Sequence, residues 1–335
     1  MNPATSMPGY PRGWFAVARS GEISCRQVQA RHFMGHPIAL FRTASGRVCA
    51  TDAYCPHLGA HLGHCGAVVG ESLQCGFHGF RFAGDGACLA TGYRTRPPKA
   101  AGLRAWPVIE RYGVILLYYD PAGAPPKWDL PQLDLSDWSP LIYHRFKFRG
   151  HPQEIAENTV DWGHFCSIHQ FSEFGPLTEP QFENERMVFH NRAKRHIAPF
   201  GAELPIEFHV TVIGLGMSIS DVTLPLGGMR LRQIYFATPV APDRVELLAA
   251  LSVHEPRRTT WAARGLQSLV SRTVARSMLA WIKSDLEKDI KIWQHKAYLE
   301  RPALSEGDGP IGRYRRWVRQ FYAAEATAVG ESLSG

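Results

Sequence analysis

Four side chains between positions 55 and 78 constrain this chain more than any other feature. The stretch CPHLGAHLGHCGAVVGESLQCGFHGF (55–80) holds two Cys-His pairs, Cys55-x-His57 and Cys75-x-x-His78, with seventeen residues between them. Two thiols and two imidazoles on paired loops form a metal donor set. Structural zinc also uses Cys₂His₂, but zinc fingers usually place both Cys in one pair and both His in the other. Here each pair holds one of each. That arrangement suits a [2Fe–2S] cluster whose one iron takes the two thiolates and whose other takes the two imidazoles. Gly59, Gly76 and Gly79 follow the ligands closely and let backbone amides approach the cluster sulfurs. Zinc and four unrelated core residues are the alternatives to this reading.

The surrounding sequence reads as β structure. PIALFRT (37–43) and VCATDAYC (48–55) are separated by a turn, and GFRF (79–82) and CLAT (88–91) flank a hairpin-like AGDGA. GVILLYYD (113–120) reads as a buried strand. His61 and His64 lie in the cluster loop but outside the pattern and are expected at the surface. Cys65 and Cys88 are expected as buried thiols. Seven scattered cysteines are an odd number and form no disulfide framework.

A chain of 335 residues, 45% hydrophobic, is long enough for two domains with real cores. The first is expected over 12–119. A Pro- and Gly-rich linker follows at 120–127, a second domain at 128–322 and a frayed tail at 323–335. The second domain starts with a helical pattern at 151–171. Strand-like runs follow at 205–220, 229–240 and 244–255, then a long helix near 259–297. This order predicts an α+β fold.

ENTVDWGHFCSIHQ (157–170) places Asn158, Asp161, His164 and His169 in one segment. Asp161 and His164 share a helix face. His169 lies about 140° further round an ideal helix, so both imidazoles reach one metal only if the helix ends or bulges between them. Alone, such a pair reads as surface histidines; beside the first signature, the balance reverses. Two His, one carboxylate and open positions make the facial triad of non-haem Fe(II) oxygenases. Asp289 is the expected carboxylate, with Asp285, one turn earlier, as the alternative.

CPHLGAHL, CGFHGF, FRGHPQEIAENTVDWGHF and DIKIWQHKAYLERP together resemble the Rieske non-haem iron oxygenases over residues 12–322. Within them the chain is most similar to the cholesterol 7-desaturase and 3-ketosteroid 9α-hydroxylase branch. High-potential Rieske proteins carry two further loop cysteines; Ala60 and Phe77 stand at those positions here, so the chain resembles the low-potential, oxygenase or ferredoxin branch of the superfamily. The resemblance implies an all-β Rieske [2Fe–2S] domain held by Cys55, His57, Cys75 and His78, followed by a helix-grip (START-like) α+β catalytic domain. It further implies mononuclear Fe(II) on His164, His169 and Asp289, with O₂ as co-substrate. In the family, head-to-tail homotrimers bring one subunit's cluster near the next subunit's iron. An aspartate at the position of Asp161 bridges the two, accepting from imidazoles on both sides. Asn158 belongs to the same site.

The implied activity is oxidation of a sterol or steroid by hydroxylation, desaturation or oxidative demethylation. The alternatives are another bulky apolar or aromatic substrate, or an electron carrier or redox sensor that uses the Rieske half alone. No flavin or nicotinamide fingerprint occurs, so NAD(P)H electrons are expected through a separate reductase, with or without a ferredoxin. The net charge of +7 would steer an acidic donor. Its short clusters, RAKR (192–195) and RYRRWVR (313–319), come without a nucleic-acid motif and read as solvated basic surface.

FHVTVIGLGMSIS (208–220) and IYFATPV (234–240) are candidates to line an apolar pocket, with sheet-core packing as the equal alternative. Residues 262–283 mix Leu266, Leu269, Val270, Val274, Trp281 and Ile282 with basic residues. A helix packed on its own domain is the plain reading, and contact with a membrane surface the sharper one. No signal peptide or membrane span is read, so the expected location is cytoplasmic, with peripheral membrane contact.

Overall fold

The computed structural model describes residues 7–197, 202–225, 228–255 and 261–323. The tail expected from 323 therefore lies, beyond Ala323, outside the described residues.

The N-terminal part consists of β1 (Gly13–Arg19), β2 (Val28–Phe33), β3 (His36–Arg42), β4 (Val48–Asp52), the short α1 (Leu62–Cys65), β5 (Ala67–Val69), β6 (Ser72–Gln74), β7 (Arg81–Ala83), β8 (Cys88–Ala90), β9 (Val108–Arg111) and β10 (Val114–Tyr119). They form three small antiparallel sheets, ordered β1-β10-β9, β2-β3-β4 and β5-β6-β7-β8. Unbroken apolar runs in β3 and β10 mean burial on both faces. Ile38 and Leu40 of β3 enter one core, while Ala39 and Phe41 enter the other, which also holds Cys55 and Cys75. In β10, Ile115 and Leu117 pack inside this part. Val114, Leu116 and Tyr118 turn the other way, onto the second part of the chain.

That second part runs β11 (Ile142–Arg149), α2 (Pro152–Glu157), α3 (Trp162–Ser167), β12 (Phe171–Glu183), β13 (Arg186–Ile197), β14 (Ala202–Ile213), β15 (Met217–Leu224), β16 (Met229–Ala241), β17 (Arg244–Val253), α4 (Trp261–Trp293) and α5 (Ile311–Val318). The strands make one seven-stranded antiparallel sheet, ordered β11-β17-β16-β15-β14-β13-β12. Residues of β17 alternate between the two faces. Leu248 and Ala250 meet Trp14, Leu116 and Tyr118 on one side, while Leu251 and Val253 meet the α4 side chains Ala275, Met278 and Ile282 on the other.

Three expectations need correction. The helical pattern at 151–171 is two short helices, α2 and α3, not one. The strand-like run at 205–220 is two strands, because Gly214 takes φ +57 and turns the chain between β14 and β15. The hairpin β12–β13 was not anticipated. Its first strand carries a glycine and two prolines, and its register slips three times, which hides the two-residue alternation.

α2 and α5 support the segment that bears the functional residues. His151 caps α2, its Nδ1 accepting from the Gln153 amide at 3.2 Å, and Pro152 opens the helix. Tyr314 of α5 donates to the Gln153 carbonyl at 2.7 Å. Arg315 grips Glu157 through two bonds of 2.6 and 2.8 Å, both side chains largely buried. Arg315→Met is therefore expected to cost about 3–5 kcal/mol, because Glu157 keeps its charge without its partner. Thermal melts of Arg315→Met and of the Arg315→Met/Glu157→Leu pair check this, and the pair should recover much of the loss.

Burial pushes His151 down from 6.5 to about 4, although the nearby Gly9 and Pro8 backbone groups pull it back up. Between those pH values the unfolded chain binds a proton that the folded chain refuses. This contribution to stability is intact above pH 6.5 and is lost as pH falls towards 4. At about 1.4 kcal/mol per pKa unit, the full loss is about 3 kcal/mol. In melts from pH 7.5 to 4.5, His151→Asn, which retains a capping side chain, should fall less steeply with acid than the parent.

Candidate metal centres

The first centre is built from two loops with the same backbone plan. In the loop between β4 and α1, the Cys55 amide donates to the Ala60 carbonyl and the Gly59 amide to the Cys55 carbonyl. In the loop between β6 and β7, the Cys75 amide donates to the Phe80 carbonyl and the Gly79 amide to the Cys75 carbonyl. Each turn closes on a residue in the left-handed region, Gly59 at φ +76 and Gly79 at φ +69, where glycine carries no Cβ penalty. The loops bring His57 and His78 together edge to face, with ring centroids 4.7 Å apart, and His57 stacks on Phe80.

Cys55 and Cys75 are both buried in one core cluster. Burial pushes the Cys55 thiol up to about 11; the His57 backbone lowers it and the neighbouring Cys75 raises it again. Buried thiols side by side lose their protons to solvent readily only when a cation is there to pair with the thiolates. The His78 Nδ1 is sealed from solvent without a hydrogen-bond partner among the described residues. Two buried thiols and two half-buried imidazoles suit a [2Fe–2S] cluster bound between the loops.

Of the neighbouring residues, His64 is exposed as expected, but His61 is half-buried beside Tyr54 and His64. Cys65 is exposed and Cys88 half-buried, so neither is the buried thiol expected. Cys65 ends the four-residue α1, where the chain turns outward towards β5.

The second centre lies where α3, the start of β12 and α4 meet. α3 ends at Ser167, and Gln170 takes φ +60, so the chain folds back and brings the His169 ring to 4.9 Å from that of His164. Asp289 comes from α4, on the inward stripe with Ile282, Leu286 and Trp293. Ligand atoms of His164, His169 and Asp289 lie within 4.8 Å of one another, and Asp289 and His169 are buried. The His169 Nε2 is 3.1 Å from the Asp289 Oδ1, and the His164 Nε2 4.0 Å from it.

His164 is oriented by its other nitrogen. Nδ1 donates to the Asp161 carbonyl at 2.6 Å, which leaves the Nε2 lone pair facing the centre. Asn158 Nδ2 lies 2.9 Å from that Nε2 and donates to the Asp289 Oδ2 at 3.3 Å. Burial opposes a charge on His169, but Asp285 and Asp289 outweigh it and raise its pKa to about 9. A site that draws in a proton this strongly also suits a divalent cation, and its donor set of two imidazoles and one carboxylate fits iron.

Asp285 stands apart from the triad. Arg195 holds it through bonds of 2.8 and 3.3 Å, Lys288 adds a third at 3.0 Å, and its Oδ1 lies 3.7 Å from the His169 Nδ1, on the far side of that ring. Asp161 meets His164 twice within the chain. Its backbone carbonyl, not its carboxylate, meets the His164 ring. Its Oδ1 instead caps α3 by accepting from the His164 amide at 3.3 Å.

An apolar cavity of about 230 Å³ opens onto His164, His169 and Asp289. That is several times a water's share of liquid volume, so it is a small-molecule space. Phe208, Val210, Ser218, Ser220 and Tyr235 line it, from the two segments expected to do so. Phe165 and Phe174 stack 4.0 Å apart on its wall. Arg195 and Trp281 were not anticipated as lining. RAKR was read as solvated surface, yet Arg195 turns inward, its guanidinium 4.3 Å above the Trp281 ring. Arg315 of RYRRWVR is likewise tied inward, to Glu157.

A Rieske [2Fe-2S] domain model matches residues 13–107, and a 3-ketosteroid 9alpha-hydroxylase C-terminal domain model matches 117–322. The chain is 28% identical over 339 residues to cholesterol 7-desaturase nvd of Bombyx mori, covering 97% of this chain and 72% of the relative. It is 26% identical over 337 residues to the oxygenase component of 3-ketosteroid-9-alpha-monooxygenase of Rhodococcus rhodochrous, covering 97% and 86%. Among solved structures, NdmB of Pseudomonas putida CBB5 superposes with a TM-score of 0.72 at 16% identity, covering 91% and 89%, and so shares the fold. The chain therefore belongs to the Rieske non-haem iron oxygenases, in the branch that carries the 3-ketosteroid 9α-hydroxylase type of catalytic domain.

Proposed function

We propose that this protein is the terminal oxygenase of a multi-component system that oxidises a sterol or steroid with O₂. The observation that carries the reading is an apolar cavity whose floor is a buried two-histidine, one-carboxylate cluster. The named activities of the Bombyx mori and Rhodococcus rhodochrous relatives support the substrate class. Bound at Cys55, His57, Cys75 and His78, a [2Fe–2S] cluster would supply single electrons, and Fe(II) at His164, His169 and Asp289 would activate O₂ beside the substrate.

The protein's own groups prepare that chemistry. The Asp161 carbonyl fixes the His164 tautomer, and Asn158 turns the Asp289 carboxylate so that Oδ1 faces the histidines. The phenylalanine wall excludes water and holds an apolar ring system against the centre. Hydroxylation, desaturation and oxidative demethylation all remain open to such a site.

Electrons come from a separate reductase, with or without a ferredoxin, and the net charge of +7 favours an acidic donor. The Rhodococcus rhodochrous relative, named as an oxygenase component, supports this division of labour. The working form is a homotrimer. Two facts support it: exposed Leu58, Phe77 and Tyr93 crown the cluster loops, and no hydrogen bond or ring contact joins the two centres among the described residues of one chain. In that assembly the Asp161 carboxylate accepts from a cluster histidine of a second copy, while its carbonyl already holds His164. Asp161→Asn should lower turnover by roughly 10²-fold, since one amide end becomes a donor. Stopped-flow should show its cluster reduced normally and reoxidised slowly; reoxidation at the parent rate would remove Asp161 from the route.

No helix among the described residues is long and apolar enough to cross a membrane. Leu269 and Val270 are exposed on α4, the helix whose Trp281 lines the cavity, and they support a peripheral contact through which a lipid-soluble substrate enters. The Leu266 side chain lies outside the described residues. The deciding experiment is turnover of a sterol and steroid panel with a surrogate reductase, with products read by mass. A mass gain of one oxygen, a loss of two hydrogens or a loss of CH₂ from a panel member is the expected result. A fully loaded enzyme that transforms no member, yet turns over a non-steroidal aromatic, would overturn the reading.

A further inference from the structure

One residue in the cavity is out of character with its surroundings. Asn191 is only 1% exposed, and neither its Oδ1 nor its Nδ2 has a hydrogen-bond partner among the described residues. It lies on β13, where Met187, Phe189, Asn191 and Ala193 alternate as the buried face. Phe189, Asn191 and Arg195, all of this parity, line the cavity, so the amide is aimed into it. Its neighbours in register are Pro176 on β12, Phe208 on β14 and, beyond the latter, Val222 on β15. Nothing in that apolar patch replaces the water lost when the amide was buried.

Burying a carboxamide without partners costs free energy, because both its donor and its acceptor lose their water. The same slot would take a leucine of nearly equal shape without that penalty. An amide kept at such a position is matched by something that enters the cavity.

We propose that Asn191 is the polar anchor of the substrate cavity: its side-chain amide hydrogen-bonds one neutral oxygen function, a hydroxyl or a ketone, on an otherwise apolar fused-ring ligand. This rests on the cavity being the sterol or steroid site. The oxygen is neutral because an amide offers one donor face and one acceptor face and no charge; Arg195, the one guanidinium lining the cavity among the described residues, is already held by Asp285. Along β13, Asn191 stands between Arg195, which reaches Asp285 beside His169, and Phe189, which packs with Ala156 and Val160 on either side of Asn158. The anchor thus fixes where along the cavity the ligand's oxygen sits.

The test uses the full chain with both metal sites loaded, under anaerobic conditions. Equilibrium binding of cholesterol, cholest-4-en-3-one and 5α-cholestane, all presented from the same cyclodextrin, is read by quenching of the tryptophans that line the cavity. The parent should prefer the two oxygenated probes over 5α-cholestane by about 10–100-fold, since the hydrocarbon leaves the amide unmatched. In Asn191→Leu this preference should shrink to within about threefold while 5α-cholestane still binds. The ligand-free Asn191→Leu protein should melt at least as high as the parent, because an unmatched buried amide has been removed. Asn191→Val, smaller than the amide, decides the same question if leucine overpacks the slot.

Two outcomes overturn the anchor while leaving the cavity's sterol reading in place. One is an equal preference in parent and variants. The other is a marked drop in the melting temperature of both variants, which would show that the amide holds the sheet rather than a ligand. If none of the three probes binds the parent, the sterol reading itself fails, and the anchor fails with it.

Discussion

Asp289→Ala should leave the protein folded, its cluster spectrum unchanged and its turnover lower by roughly 10³-fold or more, because the only carboxylate of the triad is gone. Nothing nearby replaces it. Asp285 lies one helical turn away but is held by Arg195 and Lys288, and it faces the Nδ1 side of His169, whereas Asp289 faces Nε2. The loss should appear directly in metal content, from about three irons per chain to about two. The [2Fe–2S] absorption should remain, since the two centres are built from different elements. Normal turnover in this variant would transfer the carboxylate role to Asp285. Loss of the cluster as well would mean that the two centres do not form independently.

Cys55→Ser should give the opposite pattern. The visible absorption and paramagnetic signal of the cluster should disappear, and turnover with it, while the mononuclear iron stays bound. Cys55 is 2% exposed and shares its core cluster with Cys75 and Phe80. A serine hydroxyl there is a poorer iron ligand and a buried polar group, so some loss of stability should accompany the loss of the cluster. The readout is the spectrum together with an iron count near one per chain. A full cluster spectrum in this variant would remove Cys55 from the ligand set.

What was legible in the sequence follows from how local each feature is. The two Cys-His loops could be read directly, because each loop is complete within six residues, with cysteine first, glycine four residues on and a histidine between them. The condition that brings His169 back to His164 was also readable, since five residues on a continuous helix cannot converge. Asp289 was expected over Asp285, but local pattern alone did not separate them. The two share a helix face, and what separates them is Arg195, ninety residues away on a strand. The cavity was only half legible. β14 to β16 show their alternation, but the Gly and Pro residues of β12 hid the hairpin that brings Arg195 and Asn191 into the wall. Basic clusters misled for a related reason. In RAKR, Arg192 and Lys194 pair with Glu207 and Glu173 on the exposed face, while Arg195, of opposite parity, turns inward.

Strand β10 bears on how such a protein can be taken apart. Because Val114, Leu116 and Tyr118 are committed to the catalytic sheet while Ile115 and Leu117 hold the N-terminal core, the linker after it is a seam in the sequence but not in the mechanics. A fragment cut at residue 119 would display Trp14, Leu116 and Tyr118 to water as one sticky face. The cluster-bearing half is therefore no cartridge to be swapped between relatives at the linker. A working chimera has to carry the matching face of the sheet, with Ile234, Phe236 and Leu248, along with it.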